Sequence, residues 1–196
     1  MNWLLAANAQ TLEHGRLFRN GAEEAQMLLM SRTVSAQRAY ALFGMLLGAL
    51  PPAAIFARLI GYGANGAMQM IASDAALFIL CLLMNVVSCL GGYLLGSALS
   101  RRAFRMERSS WTRMLLVMPL IGAVWGLATG AMGGVFFFGG GAIIGAAFAL
   151  PIGMAGFLLF AILHRLLERG GMIETRHFLP LACGITSIIA ALILGL

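Results

Sequence analysis

Between Met114 and Leu163 the chain runs for 50 residues without one ionisable side chain. A bilayer core about 30 Å thick is crossed by roughly 20 helical residues at 1.5 Å each, so this run is too long for one crossing and suits two. Its one break is Gly139-Gly140-Gly141, directly after three phenylalanines. The expectation is two antiparallel membrane helices joined by a tight glycine turn. A soluble domain carries roughly 25% charged residues; this chain has 10%, with 61% hydrophobic residues and a mean hydropathy of +0.91. The predicted fold class is all-α: a polytopic helical membrane protein.

Five spans are expected, at about 39–60, 74–100, 112–138, 142–163 and 178–196, forming two tandem hairpins plus a fifth helix. Residues 1–37 precede this bundle as a cytoplasmic or interfacial segment, and 38–196 make the bundle itself. Trp3-Leu4-Leu5-Ala6 is too short and lacks the basic flank of a signal peptide, so retention is expected. Asn20-Gly21-Ala22-Glu23 has the residues of a helix start, with Glu23 and Glu24 favoured by the helix dipole. An amphipathic helix is expected to run from there, without a Gly or Pro break, into the first span. Pro51-Pro52 must kink or break span 1, and Pro180 is placed in the first turn of span 5, where a missing N–H does least harm.

All 13 basic residues are arginine. Twelve fall in the N-terminal segment, in the loop after span 2 (RRAFRMERSSWTR) or in the loop after span 4; the exception is Arg58. The positive-inside rule then puts the N-terminus in the cytoplasm and the C-terminus outside, as in a bacterial inner (cytoplasmic) membrane. The same clustering argues against nucleic acid as the reason for a net charge of +6. Arg101, Arg102, Arg105, Arg108 and Arg113 are candidate contacts for anionic lipid headgroups or a partner, although topology alone suffices to explain them.

An internal repeat is visible. At an offset of 82, Gly44 and Gly48 of span 1 fall on Gly126 and Gly130 of span 3, and Pro51-Pro52 falls on Gly133-Gly134. At an offset of 64, Gly92, Leu95 and Leu99 of span 2 fall on Gly156, Leu159 and Leu163 of span 4. Duplication and the chance similarity of Gly-rich helices both fit.

Chemistry is sparse. Ionisable residues within the membrane mark pumps, relays and enzymes; only Arg58 and Asp74 approach that position here, both at a membrane edge. His14, His164 and His177 are expected outside the spans, and no paired carboxylates or metal-ligand spacings stand out. Cys81, Cys89 and Cys183 suit buried thiols rather than disulfides or metal ligands. The expectation is therefore no enzyme, no cofactor and no metal. Asn85, with Ser88 on the same helix face, and Thr129 are the candidate polar intramembrane contacts, either with a solute or with a neighbouring helix.

Glycines carry the strongest pattern. Gly126, Gly130 and Gly134 recur every four residues on span 3; Gly141, Gly145 and Gly153 do so on span 4, with Ala149 between; Gly44 and Gly48 do so on span 1. Such grooves allow close helix packing, within the chain or against a partner. No family motif stands in the sequence. Two readings result: a non-enzymatic subunit of a larger transport, secretion or envelope complex, bound to a membrane-protein partner or to copies of itself through these faces; or a small transporter or channel subunit.

Overall fold

The computed structural model describes residues 33–62, 74–168 and 170–195. Five helices form the molecule: α1 (Ala36–Tyr62), α2 (Asp74–Glu107), α3 (Trp111–Gly134), α4 (Phe138–Leu167) and α5 (Thr175–Leu194). All five are long and apolar enough to cross a membrane, so the chain is an all-α, integral membrane protein. Strand β1 (Thr33–Ser35) precedes α1, and β2 (Met172–Glu174) precedes α5. The two strands pair antiparallel, Thr33 opposite Glu174 and Ser35 opposite Met172. They mark one end of the bundle, called here the strand end; the α3–α4 connection marks the far end.

The helices follow one another around the bundle, each packing on its sequence neighbour, and α5 closes the circuit against α1. Two pairs dominate: α1 with α2, and α3 with α4. In the second pair, a methyl placed on Gly122, Gly126, Gly130 or Gly134 would overlap the carbonyl of Gly153, Ala149, Gly145 or Gly141 respectively. Four successive turns therefore touch backbone to backbone, which only glycine permits at this distance. In the first pair, Gly44, Gly48 and Gly96 lie in the same way against the carbonyls of Gly92, Ser88 and Tyr40.

Several expectations need correction. The α3–α4 turn is not made by Gly139-Gly140-Gly141. Helix α3 stops at Gly134, Val135–Phe137 form one 3-10 turn, and the three glycines lie in the first turn of α4. Gly134 and Gly141 must face each other, so the link between them can only be short. Strand β1 occupies residues that the continuous N-terminal helix was expected to cross, so that helix does not run unbroken into span 1; its remainder lies outside the described residues. Helices α2 and α4 extend to Glu107 and Leu167 rather than ending near 100 and 163. Helix α5 begins at Thr175, which puts Pro180 beyond its first turn. Pro51 and Pro52 do not break α1, which is helical on both sides of them.

The repeat fails on register. Gly44 faces Gly92, and Gly126 faces Ala149. The offset of 64 would carry Gly92 to Gly156, seven residues (about two turns) further along α4. Gly156 instead meets Leu47 of α1. The offsets of 82 and 64 cannot both describe one duplicated hairpin.

Candidate functional site

The interior divides into two unlike halves. Toward the strand end it is filled by rings. Phe43 stacks on Phe160 with centroids 4.2 Å apart, Tyr40 meets Phe160 edge-on at 5.1 Å, and Trp125 leans on Phe157 at 5.5 Å. All five are essentially without solvent contact. They come from α1, α3 and α4, whose inward positions turn aromatic on the strand-end side of Leu47 and Trp125. The Trp125 indole N–H donates to the Gly92 carbonyl at 3.1 Å, so even this ring has its polar atom satisfied.

Beyond the rings, toward the far end, the inward positions are small. Gly48, Pro51 and Pro52 of α1, Ser88 of α2, Gly130 and Gly133 of α3, and Gly141 and Gly145 of α4 leave a partly open cavity of about 600 Å³. That is within the 300–1,000 Å³ range of small-molecule sites. Its wall is almost wholly apolar. Trp125 and Leu47 form its inner end, and Met84, Phe148 and Ile152 contribute larger side chains. Thr129 reaches it too, but its hydroxyl donates to the Trp125 carbonyl of its own helix at 2.6 Å.

A second feature lies past the rings at the strand end. Glu107, the last residue of α2, and His164, near the end of α4, are both fully buried. His164 Nδ1 is 2.6 Å from Glu107 Oε1, and the Tyr40 hydroxyl donates to Glu107 Oε2 at 3.2 Å. One turn after His164, Glu168 brings its Oε2 to 3.9 Å from the same Nδ1. His164 Nε2 and Glu168 Oε2 are buried and have no hydrogen-bond partner among the described residues.

Comparison with family models, with curated proteins and with solved structures finds no match. Geometry alone carries the functional reading.

Asn85 donates its side-chain amide to the Ala49 carbonyl of α1 at 2.9 Å. That carbonyl lies just after Leu47 and Gly48, whose helical donors Pro51 and Pro52 cannot supply. Asn85 therefore bonds a neighbouring helix. Ser88 lines the cavity. Gly44, Gly48, Gly126, Gly130, Gly134, Gly145 and Gly153 all meet backbone of the partner helix, and the Gly141 carbonyl meets Gly134. Arg101, Arg102, Arg105, Arg108 and Arg113 are exposed at the strand end, Arg108 lying over the Phe104 ring at 4.4 Å. Arg58 donates to the Ile193 carbonyl at the end of α5.

His164 does not lie outside the spans, and the expectation that no carboxylates and histidines gather is corrected by Glu107, His164 and Glu168. Both arginine-rich segments read as loops, yet their first turns are helix. Those added turns carry Glu107 and His164 inward. The available signal was Glu107 itself, a lone acid among five arginines, together with His164 and Glu168 spaced to share a helix face.

Proposed function

We propose that this integral membrane protein binds the hydrocarbon chain of a lipid or isoprenoid-type molecule within its far-half cavity, in a non-enzymatic role. One observation carries the reading: an apolar space of about 600 Å³, walled by four helices, between segments long enough to span a bilayer. Lipid tails surround such helices, and a tail is the one abundant molecule whose surface matches that wall. The packed rings at the strand end close the inner end of the cavity, which favours holding a chain over conducting a solute. Among the described residues lining the cavity, only two hydroxyls could act as a nucleophile or proton donor, and Thr129 is already engaged.

Trp125 provides the test. With Trp3→Phe and Trp111→Phe it becomes the lone tryptophan, and it is reconstituted into bilayers whose acyl chains carry bromine. A chain in the cavity quenches Trp125 despite its burial. Gly140 lines the cavity with open space around it, so Gly140→Phe fills the site and should restore the emission. Equal brightness with and without bromine in the unfilled protein would refute the reading.

Membership of a larger assembly through glycine faces loses one of its motivating features, because those faces are mated between α1 and α2 and between α3 and α4. A membrane partner or a second copy would have to use other surfaces. The arginine distribution supports a cytoplasmic strand end, as in a bacterial inner membrane, and the five exposed arginines there suit anionic headgroups. A cysteine at Ser109 should then label only from the cytoplasmic side, and one at Gly140 only from outside.

A further inference from the structure

Four acidic residues stand between Thr33 and the end of the chain: Asp74, Glu107, Glu168 and Glu174. Two of them converge on one buried histidine. The bundle is rich in arginine at this end, yet among the described residues no ion pair joins an arginine to Glu107 or Glu168. Arg108 lies on Phe104, and Arg165 lies on Trp111 while donating to the Ser109 carbonyl at 3.0 Å. Among the described residues, two carboxylates are thus brought together with a single imidazole and no guanidinium. Like charges this close repel and raise the cost of burial unless a cation joins them.

We propose that Glu107, His164 and Glu168 bind one divalent first-row metal ion, for which Zn²⁺ and Mn²⁺ are the natural probes. One ligand atom from each of the three lies within 4.8 Å of the other two. Tetrahedral bonds of about 2.0–2.2 Å hold a zinc ion's ligands roughly 3.3–3.6 Å apart, so Glu168 Oε2, 3.9 Å from Nδ1, must move slightly inward while Nδ1 and Glu107 Oε1, now 2.6 Å apart, separate to admit the ion. Imidazole favours zinc and its neighbours, while carboxylates also suit manganese. Among the described residues no donor hydrogen-bonds Glu168 Oε2; a buried carboxylate oxygen without a donor is unfavourable, and a cation beside His164 Nδ1 would satisfy it. Binding requires a bare Nδ1 lone pair, so the proton that Nδ1 carries passes to Nε2 or to solvent as the ion takes its place. The Tyr40 hydroxyl already holds Glu107 through its other oxygen, as outer partners of metal-bound carboxylates do. A metal here joins the ends of α2 and α4, which otherwise touch little.

The test uses the full chain, purified in detergent without a histidine tag, stripped with chelator and dialysed against Zn²⁺ or Mn²⁺. Elemental analysis should find about one ion per chain. Glu168→Gln leaves the contacts among Tyr40, Glu107 and His164 in place and should weaken binding by at least about tenfold. His177→Ala, which removes the exposed histidine near Glu174, should leave it unchanged. Should Glu168→Gln lose its fold by gel filtration, Glu168→Ala supplies the comparison. A wild-type chain that retains no ion, or equal affinity in the folded Glu168 variant, overturns the proposal and leaves the cluster a hydrogen-bonded group of side chains.

Discussion

A methyl group at Gly126 has nowhere to go, because the Ala149 carbonyl already occupies its place. Gly126→Val should therefore lower the thermal midpoint in detergent, at a cost of about 1–3 kcal/mol for overpacking. Gly140→Ala, with open space around it, should be nearly silent in the same assay. Glu107→Leu strands both the Tyr40 hydroxyl and His164 in a buried site. Breaking a buried pair costs about 3–5 kcal/mol, so its midpoint should fall further than that of Gly126→Val. Glu107→Gln, which keeps an acceptor for Tyr40, should fall less. At this scale the sequence was partly legible. Glycine every fourth residue already described a groove, since that spacing has no other common use in a membrane helix. The polar cluster was not legible: Tyr40 and Glu107 are 67 residues apart, and Glu107 and His164 are 57 apart. Only the folded helices bring them within bonding distance.

Among the elements, the hairpins are the stable units. Lipid already surrounds apolar side chains, so helices associate by close backbone packing and by bonds such as Asn85 to Ala49. Asn85→Leu should weaken the α1–α2 pair by about 0.6–2 kcal/mol, read as a lower midpoint, while leaving bromine quenching of Trp125 intact. Loss of quenching in that variant, without loss of fold, would make Asn85 a ligand contact instead. The existence of five helices was legible because hydropathy and length follow directly from crossing a bilayer. Their ends were not, since arginine-rich turns that project beyond the apolar core are still helical. The α3–α4 turn was misplaced for a different reason. Gly139-Gly140-Gly141 has the composition of a turn, but Gly141 is needed against Gly134, so the chain reverses earlier.

For the whole molecule, the two halves of the interior have different material properties. Rings packed at crystal-like density resist compression, whereas the glycine-walled half leaves space that pressure can remove or a chain can fill. Neither half was legible from periodicity alone, because Gly44, Gly48, Gly126 and Gly130 signal contact without saying what remains empty between the contacts. The β1–β2 ribbon has a consequence in time. Thr33 pairs with Glu174, so the beginning of the first helix is held by a strand made just before the last one. During synthesis, at about 5–20 residues per second, the two hairpins can each form as soon as they emerge. The ribbon can form only after residue 174 has been added. Until then the bundle is an open chain of paired helices, and the interior that the packed rings close at the strand end is still accessible from the side.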